Sequence, residues 1–171
     1  MGVKISKRRW DYSFNLGRLT EELFKTVMES RGNTCIKASK DTDINDHIDF
    51  YVNDLGVDVK GNRQLDCIWL EIQNVHGEKG WLQGEADYIV FDIVELKSFC
   101  IFERLDLYNL VKDIKQTTRS NKEYMKLLSR NGRQDLIVKT KYSHIKHLQK
   151  QIISYEKFDK RLKNISINTF F

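Results

Sequence analysis

Three consecutive segments of this chain alternate between apolar and polar residues, and this alternation constrains the fold more than any other feature. The segments cover 47–52, 55–60 and 67–73. Their apolar positions are Ile48, Phe50 and Val52, then Leu55, Val57 and Val59, and finally Ile68, Leu70 and Ile72. Successive side chains of a β-strand point to opposite faces, so a period of two predicts three strands that each bury one face.

The spacing of these segments also predicts how the strands pair. If residues 53–54 form a two-residue turn, Asp49 lies opposite Asp58. If a second turn is centred on 63–65, Asp58 lies opposite Glu71. Like charges placed directly opposite each other destabilise a sheet unless a cation lies among them. The pattern therefore predicts three carboxylates in one row, with a cation or a positively charged partner among them.

The rest of the chain carries weaker signals for secondary structure. Apolar residues at helical spacing predict a first helix over about 14–31. A short strand is expected at 34–38, and the polar stretch 39–46 is expected to be a loop. Downstream, we predict strands over 88–94, 99–102 and 136–141, and helices over 105–114, 122–129 and from Ser143 onward.

Charge is distributed unevenly along the 171 residues. The formal net charge of +5 combines 13 Lys/Arg and 17 Asp/Glu in residues 1–100 with 16 Lys/Arg and 7 Asp/Glu in residues 101–171. A net −4 followed by a net +9 suits a metal site joined to a polyanion-binding surface. We therefore expect a core with the metal site over 1–104 and a basic, mainly helical extension over 105–171, packed on the same domain.

The cysteines and the hydropathy pattern indicate where the protein works. Cys35, Cys67 and Cys100 form no CxxC pair and are odd in number, so neither a disulfide framework nor a zinc site is expected. No apolar run approaches the roughly 18 residues that a membrane-spanning helix needs. These features predict a cytoplasmic protein with no membrane partner.

Asp49 and the Asp58-Val59-Lys60 triplet form the constellation that carries chemistry. Phosphodiester hydrolysis needs hard oxygen ligands for Mg²⁺ and a cation near the attacking water. An Asp-x-Lys pair supplies both on one face of a strand. The backbone carbonyl of Val59, between the two, is a candidate third oxygen ligand.

These residues resemble the PD-(D/E)xK nuclease superfamily over about 18–73. The resemblance implies an α/β, restriction-endonuclease-like fold, in which a central mixed sheet is flanked by helices. It implies that Asp49 fills the first motif, that Asp58 and Lys60 fill the second, and that Glu21 is the acid of the preceding helix. It also implies Mg²⁺ as cofactor, with Mn²⁺ able to substitute, and DNA as partner.

Two groups of proteins within this superfamily resemble particular segments of this chain. The helix positions Glu21, Phe24, Met28 and Gly32 look like the first helix of archaeal-type Holliday junction resolvases. The segment GWLQGEADYIVF, which starts at Gly80, resembles segments of phage-encoded nucleases, which would act in the host cytoplasm. Junction cleavage needs two coordinated cuts and hence implies a homodimer.

The sequence departs from the superfamily pattern at one position, and it leaves two assignments open. Ile48 stands where the name-giving proline would be. In an alternative alignment Asp58 is the first acid and Glu71-Ile72-Gln73 is the second motif, with Gln73 in place of the lysine. In the preferred alignment Glu71 is an added metal ligand and Gln73 supports it. Glu22 competes with Glu21 as the helix acid.

Further cations and one aromatic residue are candidates for contact with DNA. Lys79 and Trp81 lie in the glycine-containing loop 74–84, where Trp81 either contacts DNA or packs in the core. Lys141, Lys146 and Lys150 lie in the basic part of the chain. The sequence thus predicts a Mg²⁺-dependent DNA endonuclease, with branched DNA as one substrate. The alternative is a non-catalytic DNA-binding or inhibitory module that retains the fold.

Overall fold

A computed structural model describes residues 7–115, 117–118 and 120–158. The described helices are α1 (Lys7–Ser30), α2 (Lys40–Asp46), α3 (Arg104–Val111) and α4 (Tyr142–Ile145). The described strands are β1 (Cys35–Lys37), β2 (Phe50–Val52), β3 (Leu55–Arg63), β4 (Ile68–Gln73), β5 (Tyr88–Ile93), β6 (Ser98–Glu103), β7 (Thr117–Thr118), β8 (Leu127–Leu128), β9 (Leu136–Thr140) and β10 (Gln149–Ser154). Three short 3-10 turns cover Trp81–Gln83, Val94–Leu96 and Lys146–Leu148.

The main sheet is mixed and has the strand order β1-β2-β3-β5-β6-β10. Its neighbours are antiparallel except for β3 and β5, which run parallel. The β2–β3 hairpin has the predicted register, with Val52 paired to Leu55. Asn53 and Asp54 both adopt positive φ, of 49° and 70°, as a tight two-residue hairpin turn requires. The prediction of an α/β fold with a central mixed sheet is confirmed.

Helix α1 covers one face of this sheet. Its buried residues Leu23, Phe24, Val27 and Met28 pack against Val57 and Val59 of β3 and against Phe99 of β6. Phe24 meets Phe99 edge-on, with ring centroids 5.3 Å apart. Burial of the odd-numbered face of β3 beneath α1 turns the even-numbered residues of that strand, Asp58 and Lys60, to the other face.

A second sheet, in the order β4-β9-β8-β7, contributes to the core on that other face. Ile68 and Leu70 of β4 and Val138 of β9 are fully buried with Ile89 and Phe91 of β5. This arrangement shows that the predicted β3–β4 hairpin is wrong. The alternation identified β4 as a strand, but β4 pairs with β9, so Glu71 lies opposite Ile137 and not opposite Asp58.

The predicted helix from Ser143 onward is also wrong. The chain forms only α4 and a short 3-10 turn before β10, which pairs with β6. Ile153 and Tyr155 are buried, and the Tyr155 hydroxyl donates to the buried carboxylate of Asp92 at 2.6 Å. Pairing along β6 and the hydrogen bond to Asp92 stabilise a strand, whereas a helix here would leave that carboxylate without this donor.

Two smaller differences arise from local turn chemistry. The predicted helix over 122–129 is replaced by a turn in which Met125 has a positive φ of 53°, followed by β8. The predicted loop 39–46 contains α2, whose start is capped by the Ser39 side chain. That cap and the two acids in the first turn are typical of the start of a helix. The sequence nevertheless predicts a loop here, because the segment has no apolar stripe. The described part of 105–171 thus contains most of α3, all of α4 and the strands β7 to β10.

Within the described ranges, no helix has both the length and the apolar character needed to cross a membrane.

Candidate active site

The candidate site lies where strands β2 and β3 separate. The pairing of the two strands ends at Phe50 and Val57, just before Asp49. The backbone N–H of Asp49 still donates to the carbonyl of Val57 at 2.9 Å, and beyond this bond the Asp49 Oδ2 accepts a hydrogen bond of 2.8 Å from the backbone N–H of Val59. The hairpin thus brings Asp49 beside Asp58, as the register arithmetic predicted.

The same hydrogen bond orients the backbone of Val59. In an extended strand the N–H and C=O of one residue point to the same side. Since the N–H of Val59 points to Asp49, its carbonyl points to the open end of the hairpin as well. This orientation agrees with the expectation that the Val59 carbonyl is an oxygen ligand.

Asp58 is the most buried acid of the site, with 2% of its surface exposed. One oxygen, Oδ1, lies 2.8 Å from the ammonium of Lys60. The other, Oδ2, is buried and has no hydrogen-bond donor among the described residues. A buried carboxylate oxygen without a donor is costly in free energy, and a bound cation would satisfy it.

Burial raises the pKa values of both paired acids. The pKa of Asp49 rises from 3.8 to about 6, first because its carboxyl is buried and then because Asp58 is close. Burial also raises the pKa of Asp58, although the ammonium of Lys60 opposes this effect. Both shifts mean that burial of the carboxyls outweighs the stabilisation that the ammonium groups of Lys60 and Lys37 give to the ionised forms.

Lys60 is held in place by an aromatic ring. Its ammonium lies 5.2 Å from the ring centroid of Trp81, which in turn packs edge-on against Phe91 at 6.1 Å. Trp81 is 6% exposed. Of the two sequence interpretations, core packing is therefore the correct one, and Trp81 is buried beneath Lys60 instead of facing DNA.

Glu21 reaches the site from α1, whereas its neighbour Glu22 does not. The Glu21 carboxylate accepts a hydrogen bond of 2.5 Å from the ammonium of Lys37, and that ammonium lies 3.9 Å from Asp49. Glu22 is paired with Arg18 on the exposed side of the helix. Of the two candidates, Glu21 is therefore the one that is linked to Asp49, through Lys37.

Lys37 and Arg63 are site residues that sequence reasoning missed. Lys37 on β1 is brought to Asp49 by the pairing of β1 with β2, which places it opposite Phe50. Arg63, at the end of β3, has a buried Nε without an acceptor among the described residues. Burial lowers the pKa of Arg63, while the nearby charges of Asp58 and Glu71 act against this. Neither residue belongs to a motif, so only the fold reveals them.

The predicted row of carboxylates does not include Glu71, and Gln73 therefore does not support a metal ligand in that row. Both lie on β4 of the second sheet, and the amide of Gln73 donates to the backbone carbonyl of Gln134. Across the described ranges, no three His, Cys, Asp or Glu side chains form a group that could hold a metal ion. A cation at this site would accordingly use Asp49, Asp58 and the Val59 carbonyl.

The lysines expected to contact DNA have different surroundings. Lys79 is exposed at the rim of a cavity of about 380 Å³ that is also lined by His47. Lys146 is exposed in the 3-10 turn before β10. Lys150 lies between Glu103 and Asp106, at 3.2 and 3.1 Å, so its charge is already compensated. Only Lys141 lies in a larger basic cluster, on the second sheet.

Comparison of the chain with family models, with curated proteins and with solved structures finds no match in any of the three.

Proposed function

We propose that this protein is a Mg²⁺-dependent deoxyribonuclease that hydrolyses phosphodiester bonds within DNA. One observation carries the proposal: the buried Asp58 oxygen without a donor lies on a carboxylate that has Asp49 on one side and the Lys60 ammonium on the other. Such a combination of unsatisfied acids and an adjacent lysine is costly to fold, and it is typical of a reaction centre.

A divalent cation held by Asp49, Asp58 and the Val59 carbonyl would supply Lewis-acid stabilisation of the pentavalent phosphate and lower the pKa of a bound water. Lys60 would orient the attacking water and balance the charge that develops on the phosphate. Its contacts with Asp58 and Trp81 fix the ammonium in advance. Lys37 and Glu21 would position Asp49 through their own ion pair.

The fold and the charge distribution support the same proposal. An acid at the end of one strand, Asp-x-Lys on the next strand and Glu on the preceding helix is the arrangement that the superfamily resemblance implies. The net +9 of residues 101–171 suits a polyanionic substrate. We therefore propose a restriction-endonuclease-like core with DNA as substrate and with branched DNA as the first substrate to test.

Lys60→Met is expected to lower Mg²⁺-dependent cleavage by about a hundred-fold to ten-thousand-fold, the usual contribution of a group that assists proton transfer. Methionine keeps the packing on Trp81 but removes the charge. Cleavage of a labelled DNA would be followed by gel electrophoresis, with Lys25→Met on the far side of α1 as a control. Full activity of Lys60→Met would contradict the assignment.

A substrate panel separates the proposed functions. Four-way junction, flap, linear duplex and single-stranded DNA would be incubated with the protein in Mg²⁺. Preferential cleavage of the junction, together with a dimer by light scattering, would support junction resolution. Salt-sensitive DNA binding without any cleavage in Mg²⁺ or Mn²⁺ would instead favour the non-catalytic module.

Glu21→Gln is expected to weaken Mg²⁺ binding or activity by about ten-fold to a hundred-fold, as is usual when a residue that supports a metal ligand is lost. Without Glu21, the Lys37 ammonium would turn to Asp49 and neutralise it. Calorimetric titration with Mg²⁺ measures the effect. Glu22→Gln is the matched control, because Glu22 is exposed one residue away. Equal affinities in the two variants would exclude a role for Glu21.

A further inference from the structure

The outward face of the second sheet combines cations and aromatic rings. Trp69 lies directly opposite Lys139 in the β4–β9 pairing, so the two share a face, and Lys141 follows two residues later. The opposite face of these strands carries Leu70 and Val138, which are fully buried in the core. We call the outward set of Trp69, Tyr124, Lys139 and Lys141 the basic-aromatic face.

Aromatic rings hold both lysines of this face in place. The ammonium of Lys139 lies 4.7 Å from the ring centroid of Tyr124 and 6.0 Å from that of Trp69, and the ammonium of Lys141 lies 4.6 Å from Tyr124. Tyr124 is anchored, because its hydroxyl donates to the carbonyl of Asp66 at 3.0 Å. Among the described residues, neither lysine forms an ion pair with a carboxylate. Glu71 lies on the same face of β4 but is not ion-paired with either lysine, so two ordered ammonium groups are available to attract phosphate groups.

A cavity of about 420 Å³ adjoins Trp69 on the same face. It is lined by the apolar residues Trp69, Leu128 and Ile137 and by the uncharged polar residues Asn121, Ser129 and Asn131. Arg130 also lines the cavity, but its guanidinium is bound to the buried carboxylate of Asp135. The cavity therefore offers a flat apolar surface and neutral hydrogen-bonding groups without a free charge, which suits a nucleobase better than a phosphate.

We propose that the basic-aromatic face binds an unpaired strand of the DNA substrate, with a base stacked on Trp69 in the cavity and phosphates on Lys139 and Lys141. The inference rests on the proposed function, since DNA is the substrate of both. Stacking on an aromatic side chain requires an exposed base, which a duplex keeps inside its stack. The face thus selects substrates with single-stranded segments, such as flaps and open junctions.

The test measures binding without cleavage. Full-length Asp58→Asn protein in EDTA would be titrated into fluorescent oligothymidylate and into a duplex of equal length, and anisotropy would be recorded. In this background Trp69→Ala is expected to weaken binding of the oligothymidylate about ten-fold and to leave duplex binding unchanged. Lys25→Ala, on the opposite side of the main sheet, is the control.

The lysines are tested by the salt dependence of the same binding. The double variant Lys139→Ala/Lys141→Ala is expected to reduce the slope of log Kd against log salt by about 1.4, since each phosphate contact to a single strand contributes about 0.7. The double variant Arg18→Ala/Lys25→Ala removes the same charge from the exposed side of α1 and should leave the slope nearly unchanged. Equal slopes in the two double variants would overturn the phosphate assignment.

A conservative pair of variants keeps the test decisive if Trp69→Ala fails to fold. Trp69→Phe retains a ring and should keep single-strand binding, whereas Trp69→Leu retains only apolar bulk and should lose it. Identical binding by the two variants would overturn the stacking proposal. These results are independent of the active site, because full cleavage by Lys60→Met together with intact single-strand binding would count against the proposed function alone.

Discussion

Asp58→Asn is expected to abolish Mg²⁺-dependent cleavage and, at the same time, to stabilise the metal-free protein. Loss of a cation ligand should lower the rate at least about a thousand-fold, because metal stabilisation of the transition state contributes several kcal/mol and each 1.36 kcal/mol is a factor of ten. The amide has almost the same shape as the carboxylate, so the packing around Ile48 and Trp81 should persist.

The gain in stability follows from the burial of Asp58. Its pKa is raised by burial, which means that the ionised form at neutral pH is disfavoured in the folded protein. An asparagine carries no charge, and its amide can donate a hydrogen bond to Asp49. Thermal unfolding of the metal-free proteins at pH 8 should therefore give a higher Tm for Asp58→Asn than for the wild type.

Asp54→Asn is the matched control for both measurements. Asp54 lies on the same hairpin but is exposed in the turn, where asparagine tolerates its positive φ. We expect this variant to keep the wild-type rate and a Tm close to that of the wild type. If Asp58→Asn cleaves DNA as fast as Asp54→Asn does, the site lies elsewhere in the molecule.

Mg²⁺ is expected to stabilise the protein strongly at pH 8 and hardly at all at pH 5. At a concentration of about 100 times Kd, a ligand of the folded state adds about 2.7 kcal/mol to the free energy of unfolding. For a chain of this size that corresponds to a rise in Tm of about 5–10 °C. Below the pKa of Asp49, about 6, the carboxyl keeps its proton and cannot bind the cation.

The metal-free protein should show the opposite pH trend at this site. Because the pKa of Asp49 is raised in the folded state from 3.8 to about 6, protonated Asp49 favours folding at acid pH, and this contribution is lost as the pH rises through about 6. Asp49→Asn should remove the contribution of Asp49 to the pH trend and abolish the Mg²⁺ effect. Calorimetric scans at pH 5 and pH 8, with Mg²⁺ or with EDTA, measure both. Equal stabilisation by Mg²⁺ at the two pH values would rule out Asp49 as a ligand.

The centre of the candidate site was predictable because its geometry is local in sequence. A two-residue turn determines the register of the hairpin that it closes, so Asn53 and Asp54 are sufficient to bring Asp49 beside Asp58. The Asp-x-Lys spacing then places Lys60 on the same face of β3 as Asp58. The helix acid came from the family resemblance, which implied Glu21 at the edge of the apolar stripe of α1, with Glu22 as the competing choice.

The sequence by itself thus determined the three alternating strands β2, β3 and β4, the register of the β2–β3 hairpin and the acid pair. The tertiary structure decided which strands are neighbours: β4 joins β9, β10 joins β6, and β1 brings Lys37 to Asp49. The reason is physical. An alternation with a period of two indicates that one face of a strand is buried. It does not indicate which strand forms its backbone hydrogen bonds, because that depends on which distant apolar surfaces pack together, and the local spacing of residues contains no information about those contacts.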